Sequence, residues 1–85
     1  MSRKEKFYFQ IISGNSDGNI RFNKLIDFLL SLDFEIRIKG SHHILYHKQI
    51  EEIINLQPLS NGLAKSYQVK QVRNILLKYK LKINE

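Results

Sequence analysis

Cysteine and tryptophan are absent from this 85-residue chain, proline and methionine occur once each, and glycine occurs four times. Without cysteine there is neither a disulfide framework nor a thiolate metal site. No internal repeat or low-complexity tract appears. No apolar run approaches the roughly 18 residues that a membrane span needs. The start, MSRKEKFYF, lacks the apolar core of a signal peptide, so the expectation is a cytoplasmic protein with no membrane partner. Acid is the scarce charge: eight Asp plus Glu stand against fourteen Lys plus Arg, a formal charge of +6. That balance favours polyanions, either nucleic acid or an acidic protein.

What is present suits one folded domain over residues 1–85, since 42% hydrophobic and 26% charged residues are ordinary globular values. In SRKEKFYFQIISG, Ser2 stands three residues before Glu5, the spacing of a capping box, and Gly14 offers a left-handed stop. We read a short helix there, although the alternation of Phe7, Phe9 and Ile11 also fits a strand. NSDGN reads as a turn. From Ile20 to Asp33, Phe22, Leu25, Ile26, Leu29 and Leu32 recur at helical spacing, with Asn19 available as a cap.

FEIRIK alternates Phe34, Ile36 and Ile38 with Glu35, Arg37 and Lys39, as a half-buried strand does, and Gly40–Ser41 suits a hairpin turn. HHILYH follows as a second strand and IEEIINLQP as a third, closed by Pro58. LSNGLAK reads as a flexible loop. Ser66 then stands where it can cap a last helix with Val69, Val72, Leu76 and Tyr79 as its core stripe. Six Lys or Arg and no acid lie between Pro58 and Ile83. The expected fold class is α+β: helix, helix, three antiparallel strands, helix, with the helices on one sheet face.

RIKGSHHILYHK concentrates three histidines beside Arg37, Lys39 and Lys48. At about 3.4 Å per residue His43 and His47 are about 13 Å apart, and His42 and His47 about 17 Å. One ion with ligands about 2 Å away cannot bridge such a gap. No metal and no cofactor are therefore expected. Two readings stay open on the residues alone. A histidine here suits proton transfer during RNA cleavage, with Arg37 and Lys39 opposing phosphate charge and Gly40 and Ser41 letting a backbone approach. Equally, histidines beside a turn are ordinary solvated positions, as are Lys65, Lys70 and Arg73 on a helix face.

DFEIRIK, GSHHI, INLQP and AKSYQVKQVRNILLKYKL, taken in that order, resemble the HicA toxin family of type II toxin–antitoxin systems. The resemblance covers residues 20–81. It leaves 1–19 as an N-terminal extension of structural character. It implies a fold similar to a double-stranded RNA-binding domain, and a metal-independent endoribonuclease that cuts mRNA. A HicB-type antitoxin would hold it inactive. The catalytic histidine it implies is the first after the Gly-Ser pair, His42. It also implies an RNA-binding role for Arg37, Lys39, Gly40, Ser41, His43, Lys65, Lys70 and Arg73, since such domains contact minor-groove edges and phosphates. Short members carry a proline-flanked histidine on the third strand where this chain has NLQP. The competing class is a non-catalytic RNA-binding or protein-interaction module.

Overall fold

The computed structural model describes residues 2–81. Helix α1 spans Arg3–Ser13, so the helical reading of the N-terminus holds over the strand. Its start is the expected capping box: Glu5 N–H donates to Ser2 Oγ at 3.1 Å, and Ser2 N–H donates to Glu5 Oε1 at 3.2 Å. Its end is Gly14 at φ 73°, whose N–H donates to the Ile11 carbonyl. A 3-10 turn over Asp17–Asn19 follows.

Helix α2 spans Phe22–Ser31, but Asn19 does not cap it. The cap residue is Arg21, without a side-chain bond, and the Gly62 carbonyl accepts the Phe22 N–H at 3.0 Å instead. The helix start is thus satisfied by backbone from far along the chain. Its end is a Schellman arrangement: Phe34 N–H donates to Leu29 O, Asp33 N–H to Leu30 O, and Asp33 takes φ 72°.

Strands β1 (Glu35–Lys39), β2 (His42–Tyr46) and β3 (Ile54–Leu56) form an antiparallel sheet in that order. Lys39 pairs with His42 across a two-residue turn whose first residue, Gly40, has φ 61°, the glycine-first pattern of a type II′ hairpin. Helix α3 spans Ser66–Lys78. Ser66 is its first residue rather than its cap; the cap position falls to Lys65, again with no side-chain bond. The resulting α-β-β-β-α order with a preceding helix is the α+β architecture the sequence indicates. The expected basic segment continues to Lys82, which lies outside the described residues.

One sheet face is apolar and covered. Leu45, Ile54 and Leu56 have no exposure, and pack with Leu25 and Leu29 of α2 and Val69, Val72 and Leu76 of α3. Truncating a leucine this deep costs roughly 2–5 kcal/mol. Two sequence expectations need correction. The third strand is only three residues long: Ile53 is 63% exposed, while Ile50 turns inward after Ile50 N–H donates to His47 O. Residues 59–65 are not a free loop either. Leu59 N–H donates to Leu63 O, Gly62 N–H to Leu59 O, and Ala64 N–H to Ile20 O at 2.8 Å. The chain turns back on itself and fastens the start of α2, a long-range pairing that composition cannot reveal.

Candidate nucleic-acid interface

The side-chain period of two in a strand sorts the hairpin into two surfaces. Leu45 is buried, so Ile36, Ile38, His43 and Leu56 belong to the helix side, and Arg37, Lys39, His42, Ile44 and Asn55 to the open side. His42 is exposed there, opposite Lys39 and diagonal to Asn55. Its Nδ1 lies 3.3 Å from Asn55 Oδ1. An amide oxygen only accepts, so this contact is a hydrogen bond in the Nδ1–H tautomer, the one that leaves the Nε2 lone pair for another partner. A ring held in that tautomer suits proton abstraction, and Arg37 and Lys39 put two cations on the same face.

The other two histidines do different work. His43 sits on the helix side with its ring 4.8 Å from that of Phe22, and its Nδ1 is 3.1 Å from the Ser41 carbonyl. It steadies the hairpin tip. His47 is buried, with Nε2 donating to Leu32 O at 3.0 Å and Nδ1 accepting the Gln49 N–H at 3.1 Å, its ring 5.0 Å from Phe34. Both nitrogens are used within the protein. Strand alternation sets His42 apart from the other two, four residues of chain separate His43 from His47, and no group of three ligating side chains occurs among the described residues.

A polar chain joins the hairpin tip to the start of α3. Lys65 Nζ donates to Gln57 Oε1 at 3.4 Å, and Gln57 Nε2 donates to Ser41 Oγ at 2.9 Å. Behind it, the largely buried Gln68 brackets the end of β3: its Oε1 accepts the Gln57 N–H and its Nε2 donates to Asn55 O. The structure therefore brings Lys65 to Gly40, Ser41 and His43 at the tip, with Arg37, Lys39 and His42 on the adjoining open face. Lys70 is exposed farther along α3. Tyr67, 65% exposed beside Lys65, adds an aromatic face that the helix periodicity did not single out.

Arg73, expected among the RNA contacts, is engaged within the protein. Its guanidinium forks onto Asp17, with Nη1–Oδ1 at 2.9 Å and Nη2–Oδ2 at 3.1 Å, and Nη1 also donates to the Ile11 carbonyl at 3.2 Å. Side-chain exposure is only 15% for Arg73 and 21% for Asp17. The Asp17 hydrogen bond holds the guanidinium pKa above its usual range. These donors fasten α3 to the segment after α1 and are not free for a phosphate. Asn55 and Gln57, by contrast, were missed. Their only signal is alternation in INLQ, which puts them outward, and only the β2–β3 register shows that they meet the hairpin.

Comparison with protein-family models, with curated proteins and with solved structures finds no match for this chain.

Proposed function

We propose that the chain is a toxin of a type II toxin–antitoxin system, an endoribonuclease of HicA type that cuts mRNA without a metal. The observation that carries this reading is His42, exposed on the open sheet face, its ring held through Nδ1 by Asn55 and accompanied by Arg37 and Lys39. In the reaction His42 Nε2 removes the proton of a ribose 2′-hydroxyl. The freed oxygen attacks the adjacent phosphorus, and the P–O5′ bond breaks as that oxygen takes a proton from solvent. The products are a 2′,3′-cyclic phosphate and a 5′-hydroxyl. Arg37 and Lys39 oppose the charge that grows on the phosphate. Lys65 and Lys70 hold neighbouring phosphates, which leaves specificity largely to RNA shape.

A cytoplasmic ribonuclease needs restraint, so the partner in this reading is a HicB-type antitoxin that covers the His42 face, drawn in by the +6 charge. The test is induced expression of the wild type and of His42→Ala, with RNA integrity followed in each, and the purified proteins assayed in excess EDTA. Fragmented messages with wild type alone, unaffected by the chelator, are the expected result. RNA that is bound but left intact by the wild type would replace the enzyme with a binding module. Loss of cleavage on chelation would overturn the metal-free chemistry.

A further inference from the structure

Helices α1 and α2 enclose a groove of about 510 Å³, within the range of roughly 300–1,000 Å³ in which proteins receive ligand groups. Its floor is aromatic: the half-buried ring of Phe7 lies 5.2 Å from that of Phe28, tilted by 56°. Its walls carry Arg3, Lys4, Lys6 and Lys24 against a single carboxylate, Asp27. None of these four cations is in an ion pair among the described residues.

Helix stability does not account for that charge. Arg3 and Lys4 occupy the first turn of α1, at the positive end of its dipole, where a cation is unfavourable. Nor do they belong to the hairpin site. The groove lies between two helices on the covered side of the sheet, whereas His42 is on the open side. An aromatic floor between cationic walls fits a chain that carries both apolar anchors and carboxylates; a nucleic acid, whose bases stack on aromatic rings, is the competing occupant that the test below distinguishes.

We infer that the α1–α2 groove docks an acidic amphipathic segment of a protein partner, its apolar side chains over Phe7, which the buried Phe28 backs, and its carboxylates on Arg3, Lys4, Lys6 and Lys24. The mode is that of a helix laid in a groove. The inference does not depend on ribonuclease activity, because no residue of the groove touches the His42 face. It predicts a partner contact that leaves that face open.

The probe is a synthetic peptide of about 15 residues with leucines at helical spacing among glutamates, beside a control with serine for leucine and an RNA of about 12 nucleotides. Binding to the full chain is followed by amide chemical-shift mapping and by salt titration. Expected are shifts centred on Lys6, Phe7 and Lys24, affinity that weakens with salt, and about tenfold weaker binding of the serine control. Lys6→Glu with Lys24→Glu should weaken the leucine peptide about tenfold or more, while circular dichroism shows an intact fold; glutamate early in α1 suits the dipole. Equal binding of both peptides, unchanged affinity of the double variant, no shifts in the groove, or the same shifts produced more tightly by RNA would each overturn the proposal.

Discussion

Arg73 reaches across from α3 to grip Asp17 through two hydrogen bonds of 2.9 and 3.1 Å. The 3-10 turn after α1 is thereby tied to the last helix, and the same guanidinium accounts for the one tight neighbour of Gly14, an Arg73 Nη1 3.2 Å from where a Cβ would stand. Replacing Arg73 by alanine removes a charge-assisted fork and leaves Asp17 and the Ile11 carbonyl without it. The expected loss is about 1–2 kcal/mol, read from chemical denaturation. Gly14→Ala should also destabilise, by about 1 kcal/mol, because φ 73° suits glycine and the added methyl crowds the guanidinium.

RNA affinity should separate Arg73 from its basic neighbours. Each lysine that holds a phosphate releases condensed counterions, so Lys65→Ala and Lys70→Ala should each flatten the log–log salt dependence by roughly 0.7–0.9. Arg73→Ala should lower stability and leave the slope as it is. A flattened slope for Arg73→Ala in a still-folded protein would mean that the Asp17 fork opens to bind RNA.

Asn55 should act through His42. Asn55→Leu removes the acceptor at Nδ1 and frees the ring, with an expected loss of cleavage rate of about tenfold, less than the roughly 10²–10⁴-fold that the proton transfer itself contributes. Asn55→Asp puts a carboxylate in the same place and favours the charged ring, so the acid limb of the pH–rate profile should move upward. Thermal melts of both variants should stay close to wild type, since the side chain is exposed. A rate loss with no movement of the profile in the aspartate variant would assign Asn55 to the strand alone.

His47→Ala should cost stability rather than activity. The substitution strands the Leu32 carbonyl and the Gln49 N–H and opens space against Phe34. About 2–3 kcal/mol is expected from denaturation, against less than about 1 kcal/mol for His42→Ala.

At the far end of α3, the Tyr79 hydroxyl and the Lys78 ammonium, whose Nζ donates to Glu52 Oε2 at 3.2 Å, hold the Glu52 carboxyl pKa below the ordinary 4.5. A lowered folded-state value means that the contribution is complete above the unfolded carboxylate range. It is lost as pH falls through the lowered value. The difference in melting temperature between wild type and Glu52→Gln should therefore be present at neutral pH and close in acid.

Much of the scaffold was legible in short-range chemistry. The Ser2–Glu5 spacing made a capping box, Gly14 took the left-handed stop, and Gly40 opened the hairpin, because each effect needs only neighbours within a turn of chain. The apolar rhythm of α2 and α3 likewise marked Leu25, Leu29, Val72 and Leu76 as core. Caps away from α1 were less legible. Asn19 and Ser66 are good capping residues by type, but the chain from Pro58 to Ala64 folds back and lends its backbone to the start of α2.

Residue type and spacing alone determined an α+β chain with a basic last helix and histidines too far apart along a strand for one metal ion, because periodicity and reach are properties of the local backbone. Which of its polar groups meet was decided only in three dimensions. Arg73 and Lys70 look alike on one helix face, yet Asp17, 56 residues away, takes up the first and leaves the second exposed. His42 and His47 are alike in type, yet strand alternation turns one to Asn55 and solvent and the other onto Leu32 and Phe34. Hydrogen bonds and ion pairs act over about 3 Å, so a side chain's role depends on partners that only the folded chain brings within reach.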